Sequence, residues 1–190
     1  MRDERGLTTD EYMRAVTVGE RTPHRAPVDL AEYDSAWPER FLEEEAKVRS
    51  ALGDRALQVE HVGSTSVPNL AAKPIVDMVL VVADSAREEE YVPALEQAGY
   101  ALTIRESDWF EHRLLKTPER DVHLHVFSTG CEEVERMLAF REHLRADDDD
   151  RELYERTKRE LAGRTWEHVQ HYADSKTEVV EQIMSRVGGS

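Results

Sequence analysis

The stretch Val59-Glu60-His61-Val62-Gly63-Ser64-Thr65-Ser66, followed by Lys73 and by the apolar run Ile75 to Val82 with its lone acid Asp77, decides how this chain is built. Aliphatic residues over Ala56 to Val62 and over Ile75 to Val82 predict two strands, and the small residues after Val62 predict the turn that leaves the first. The signal recurs downstream. His112 to Lys116 and Val122 to Phe127 are strand-like and flank the polar turn Thr117 to Asp121, which predicts an antiparallel hairpin. In Val122 to Phe127, period-two alternation puts His123 and His125 on one face. A single strand histidine usually serves packing. Two on one face of an apolar run, near the acids Glu60 and Asp77, point to metal ligation.

Working outward, Val28 to Tyr33 reads as a first strand. Asp34 or Ser35 then caps a helix from Trp37-Pro38, with Phe41, Leu42, Val48 and Leu52 as its core face and Gly53 as its stop. Ser85 to Ala98, closed by Gly99, reads as a helix feeding a strand over Tyr100 to Arg105. Thr8-Thr9-Asp10-Glu11 opens a short helix through Val16, and Gly19 to Pro27, with two prolines, is linker-like. Residues 1–27 are therefore expected to be an N-terminal appendage to one domain over 28–190.

From Glu132 onward the pattern is helical, with Asp147 to Asp150 read as a solvated loop whose last acids favour the next helix start. Each of three helices carries one cation within its apolar row. Arg141 falls in the stripe Val134, Met137, Leu138, Leu144. Lys158 lies between Tyr154 and Leu161, and Lys176 lies in the row Val169, Tyr172, Ala173, Val179, Val180, Ile183 of the helix Glu167 to Val187. A cation on a buried face is costly unless paired or bound to an anion, although any one of the three can snorkel to water. Three in succession suggest a shared anion pocket.

Composition limits the functions. With 25 Lys+Arg against 40 Asp+Glu the net charge is −15, which opposes general nucleic-acid binding and leaves room for a small local basic pocket. One cysteine, Cys131, cannot form an internal disulfide, and no apolar stretch reads as a signal peptide or membrane span. A cytoplasmic protein is expected. Cys131 sits at a loop-to-helix junction, where most cysteines are inert.

The run Glu60-His61-Val62-Gly63-Ser64-Thr65-Ser66-Val67-Pro68-Asn69-Leu70-Ala71-Ala72-Lys73-Pro74-Ile75-Val76-Asp77 resembles the signature of the GrpB family, whose members are similar to the nucleotidyltransferase superfamily. The resemblance extends to Tyr33-Asp34-Ser35-Ala36-Trp37-Pro38, to His123-Leu124-His125-Val126 and to Phe140-Arg141-Glu142-His143-Leu144-Arg145, with Tyr154, Lys158, Tyr172 and Lys176 behind. It implies an α/β (α+β) fold: a small mixed sheet with packed helices and a C-terminal helical portion. It further implies that the Gly-Ser turn (Gly63, Ser64, Thr65) holds a nucleotide phosphate. Asp77 would bind divalent metal.

One departure from the superfamily pattern is plain. The second acid would stand at Val79, which cannot bind metal, so Glu60, His123 or His125 would have to complete the set beside Asp77. Imidazole with carboxylate suits zinc, manganese, iron or nickel better than magnesium. The resemblance thus suggests a metal-dependent nucleotidyltransferase-like enzyme acting on a nucleoside triphosphate and an unknown small acceptor. Ser64 and Lys73 would hold the triphosphate, Arg141, Lys158 and Lys176 would neutralise it, and His123 would position or deprotonate the acceptor. The alternative is a non-catalytic nucleotide- or anion-binding regulatory module. The expected partner in either case is a nucleotide or other small anion.

Overall fold

The computed structural model of the chain describes residues 8–19, 28–166 and 169–187, with the Val169 side chain excluded. Among them, five strands form one sheet: β1 (Gln58–Val62), β2 (Val76–Val82), β3 (Ala101–Glu106), β4 (His112–Lys116) and β5 (Val122–Ser128), in the order β1-β2-β5-β4-β3. β2 and β5 run parallel and the other neighbours antiparallel, so the sheet is mixed and the fold is α/β, as expected. The 117–121 turn does join an antiparallel hairpin. β2 is an interior strand covered on both sides, which explains a run that is apolar at nearly every position.

Cross-strand register sorts the side chains into two faces, because directly opposed residues point the same way. Asp77 faces across to His123 and to Val62, Val79 to His125 and Glu60, Lys116 to His123, and Glu106 to His112. All the polar strand residues of interest therefore share one face. The opposite face carries Met78, Leu80, Leu115, Leu124 and Val126, packed on α2 (Ala36–Leu52) and α3 (Val92–Gln97) through Val48, Leu52 and Leu95. The polar face is closed at its β1–β2 side by α4 (Glu132–Ala146), where Val134 packs against Val62, Val79, Val81 and Phe127. Beyond it α5 (Asp148–Ala162), α6 (Val169–Asp174) and α7 (Thr177–Met184) complete the C-terminal helical portion. Tyr154, Val179 and Ile183 bury Val67 and Leu70 of the β1–β2 connection there.

Several local expectations are corrected. Val28 to Tyr33 is not a strand: only Ala31 pairs, exchanging bonds of 2.8 and 2.9 Å with Ala72, which is itself an isolated bridge with no ladder to extend. The helix expected over 85–98 shrinks to α3, preceded by a 3₁₀ turn at Glu88–Glu90. Ser85 is fully buried, with its amide on Ser128 Oγ (2.9 Å) and its hydroxyl on the Glu111 carbonyl (2.8 Å), and such anchoring competes with helix formation.

On α2, Leu42 is 60% exposed and the buried row runs through Trp37, Glu44, Val48 and Leu52 instead. Glu44 is tolerated at 0% exposure because it accepts from the Tyr100 hydroxyl and pairs with Lys47 at 2.6 Å. Residues 147–150 are no loop: Asp147 caps α5 by accepting from the Asp150 amide at 2.8 Å, and Asp150 is buried against His143 and Arg186.

The helix expected over 167–187 is two. The Lys176 amide bonds the Ala173 carbonyl, three residues back, while the Ser175 hydroxyl takes the His171 carbonyl, and the ladder breaks there. Glu167 at its expected start, and residues 20–27 of the expected linker, lie outside the described residues.

At the N-terminus, α1 (Asp10–Val16) is capped by the Thr9 side chain and lies against β3. The Val18 amide reaches the Thr103 carbonyl at 2.9 Å, and the Tyr12 hydroxyl reaches Glu106 Oε1 at 2.9 Å. No helix among the described residues is long and apolar enough to cross a membrane.

Candidate metal and anion site

Parallel pairing of β2 with β5 brings Asp77 opposite His123, and the next same-face position of β5 supplies His125. Asp77 Oδ1 lies 3.3 Å from His123 Nδ1 and 3.7 Å from His125 Nε2. One ligand atom from each of the three falls within 4.8 Å of the others, a spacing that can hold one metal ion. Burial alone would raise the Asp77 carboxyl, but the interactions with its neighbours, led by the His123 imidazole 3.3 Å away, outweigh it and hold the group well below the usual carboxylate range. Burial, helped by Lys116, pushes the His123 pKa down against the pull of Asp77, which favours the neutral, ligating imidazole.

The turn after β1 is shaped around this carboxylate. Gly63 has φ +68°, and a Cβ placed there would stand 2.6 Å from Asp77 Oδ2. Only a residue without a side chain lets the backbone come so close. The following 3₁₀ turn, Ser64–Ser66, is pinned by Thr65, whose hydroxyl donates to the Ile75 carbonyl (3.1 Å) and lies 3.0 Å from His61 Nε2. His61 stacks on Phe41 (ring centroids 4.9 Å), and burial, aided by Arg145 and Arg141, lowers its pKa to about 4.

A small cavity of about 60 Å³ opens here, lined by Ser64, Thr65, Ala72, Lys73, Ile75, Asp77 and His123. That is room for a few waters, hence for an ion or one phosphoryl group. Lys73 lines it, and the charges of Lys176 and Lys116 act on Lys73. Burial, reinforced by Lys176, lowers the Lys73 pKa to about 8 and the Lys158 pKa to about 7, and burial lowers Lys116 as well. Lys73 and Lys176 lie 5.4 and 5.0 Å from the Tyr172 ring centre, and Lys158 lies 4.9 Å from that of Tyr154 while donating to the Ala71 carbonyl. Buried lysines that are further lowered by a neighbouring ammonium mark a place that favours an anion.

Residues 27–186 match the GrpB protein family. The chain belongs to the GrpB family. This GrpB chain is 56% identical over 192 residues to a UPF0157 protein of Halalkalibacterium halodurans, a match spanning 100% of this chain and 98% of that one. A UPF0157 protein of Streptomyces coelicolor is 48% identical over 168 residues, 88% of each. The crystal structure of the conserved protein GrpB from Enterococcus faecalis superposes with a TM-score of 0.72 at 33% identity, covering 84% of this chain and 96% of that one.

Of the residues singled out in the GrpB sequence, Gly63, Ser64, Thr65, Lys73, Asp77, His123 and His125 come together, with Lys176 coupled to Lys73. Glu60 and Arg141 do not join the metal group. Glu60 sits beside Val79 in register and its Oε2 accepts from Arg141 Nη1 at 2.9 Å, while the same guanidinium donates to the His61 carbonyl at 2.7 Å. Arg141 is thus spent tying α4 to β1, and Glu60 is its counter-ion. Thr65 is likewise committed to backbone. Two residues were missed: Lys116, paired in register with His123, and His112, whose Nε2 lies 3.0 Å from His125 Nδ1. Alternation along the 112–116 strand puts His112 and Lys116 on the His123/His125 face once the hairpin register is fixed.

Proposed function

We propose that this GrpB protein is a divalent-metal-dependent transferase of the nucleotidyltransferase type, acting on a nucleoside triphosphate and a small acceptor. The observation that carries the reading is the meeting of Asp77 with His123 and His125 beside a small cavity that Lys73 also lines. Charge supports it. One carboxylate with two neutral imidazoles leaves a bound divalent ion with a net charge of about +1, where a two-metal site relies on several carboxylates. Lys73, Lys116 and Lys176 stand where further positive charge is needed, and together they suit a polyphosphate better than a neutral ligand. The donor set favours zinc, manganese, iron or nickel over magnesium. When bound, the ion would polarise a phosphoryl oxygen. Ser64 and Lys73 hold the phosphate in the cavity, and His123, on its wall, orients or deprotonates the acceptor.

Val79 favours a second reading, a non-catalytic nucleotide- or anion-binding module. The position two residues beyond Asp77 is fully buried in the apolar cluster with Val62, Val81, Phe127 and Val134, so core packing occupies the place of the second acid. Pyrophosphate release from each nucleoside triphosphate, measured across a panel of divalent metals, separates the readings. An enzyme releases pyrophosphate with at least one metal, and Asp77→Asn reduces that to background while a triphosphate still raises the Tm. A parent protein that is stabilised by triphosphate but inactive with every metal, and gains magnesium-dependent release only on Val79→Asp, is a binder.

A further inference from the structure

Glu106, at the end of β3, accepts the Tyr12 hydroxyl on Oε1 at 2.9 Å and faces His112 Nδ1 with Oε2 at 2.7 Å. An ionised carboxylate only accepts, so the proton in the second contact sits on His112 Nδ1. Burial at 4% exposure disfavours a charged ring, so His112 is neutral and has a bare Nε2. That lone pair lies 3.0 Å from His125 Nδ1, a distance that requires one proton between the nitrogens, and His125 alone can supply it. The network therefore assigns His125 as the Nδ1–H tautomer. Its Nε2 is left bare, 3.7 Å from Asp77 Oδ1. Two lone pairs facing each other with no proton between them make a place for a cation.

We propose that Glu106 and His112 are positioning residues that order the protons along this chain and so present the His125 Nε2 lone pair to a metal ion beside Asp77. The packing suits a fixed relay. His112 is 4% exposed, its ring stacked on Phe127 at 4.9 Å and flanked edge-on by Trp109 at 5.2 Å. Tyr12 lies outside the 27–186 family match, so the N-terminal helix supplies the outermost link. The metal consequence rests on the functional reading above, whereas the proton order belongs to the metal-free protein.

Long-range ¹H–¹⁵N NMR of the metal-free protein at pH 7.5 reads the tautomer of His125 directly, its signals assigned by their loss in His125→Gln. The expected result is Nδ1–H in the parent and loss of that preference in Glu106→Met and in His112→Phe, which keeps an aromatic ring against Phe127. Zinc affinity, measured by calorimetry, should fall 10- to 100-fold in both variants. An Nε2–H His125 in the parent overturns the relay. So does an unchanged tautomer, with zinc affinity within twofold, in Glu106→Met. A parent with Nδ1–H His125 that binds no metal upholds the proton order and sinks the metal reading instead.

Discussion

Asp77 has three kinds of neighbour at once: two imidazoles, a small cavity that it shares with Lys73, and the bare α-carbon of Gly63. The last contact gives the most discriminating single substitution. Gly63→Ala puts a methyl 2.6 Å from Asp77 Oδ2 at a φ that L-residues rarely adopt. With ψ at −173° the backbone strain alone costs about 1–3 kcal/mol, which in a chain of this length is a Tm loss of a few degrees. Metal titration should show a much larger effect, because the carboxylate must move away from His123 and His125. Equal zinc affinity in Gly63→Ala and parent would mean that Asp77 is not the ligand. Lys176 offers a second residue-level test. Its ammonium lies over Tyr172 and has no carboxylate partner among the described residues. Lys176→Met should therefore keep the native Tm while shrinking the stabilisation conferred by pyrophosphate, and an undiminished ligand shift would make this lysine a bystander.

At the level of elements, α2 and β3 are coupled through an ion buried in an otherwise apolar layer. The Glu44 carboxylate receives the Tyr100 hydroxyl and two cations, Lys47 at 2.6 Å and Arg40 at 3.3 Å. Burial and this bond together push the Tyr100 pKa far up, so the phenol remains a donor throughout the accessible pH range. Removing one partner of such a group strands the others. Glu44→Ala should cost about 3–5 kcal/mol in chemical denaturation. The double variant with Tyr100→Phe should cost less than the sum of the singles. Additive losses would show that Glu44 and Tyr100 do not act as a pair. The periodicity of α2 is legible in sequence, yet its buried row passes through Glu44 and leaves Leu42 outside. Hydrophobicity placed the helix and the core residues Phe41, Val48 and Leu52, and it missed Glu44, whose partner Tyr100 lies far along the chain. The break after Ser175 left no mark in the pattern: the apolar row continues across 167–187, while the Lys176 amide turns to Ala173, three residues back.

The whole molecule buries titratable groups on both sides of neutrality, and its stability should follow them. Lys158 is 1% exposed with a pKa of about 7, against 10.5 in an unfolded chain. Between those values the unfolded state binds more protons, so this group's contribution to stability rises as pH climbs from about 7 to about 10.5 and is lost as pH falls through 7. The slope reaches at most about 1.4 kcal/mol per pH unit. Thermal melts of Lys158→Met and parent should therefore differ most in the variant's favour near pH 7 and converge toward pH 10, and a difference independent of pH would refute the buried-charge account. On the acid side, His61, buried with a pKa of about 4, stays neutral in the fold while its unfolded counterpart titrates near 6.5. Stability should accordingly fall as pH drops from about 6.5 to about 4, read as a steeper decline in parent than in His61→Gln.

The sequence by itself determined the β1-turn-β2 unit, the 112–128 hairpin, the shared face of His123 and His125, and the GrpB family, since each rests on spacing within a short stretch of chain. Only the tertiary structure decided which polar groups meet. The parallel pairing of β2 with β5 set Asp77 against His123, the β4–β5 register added His112 and Lys116, and α4 claimed Glu60 for Arg141. These are contacts between residues about 7 to 81 positions apart. Local periodicity fixes the direction a side chain takes from its own strand or helix. Which partner waits there is fixed by the order of strands in the sheet and the helix laid over it.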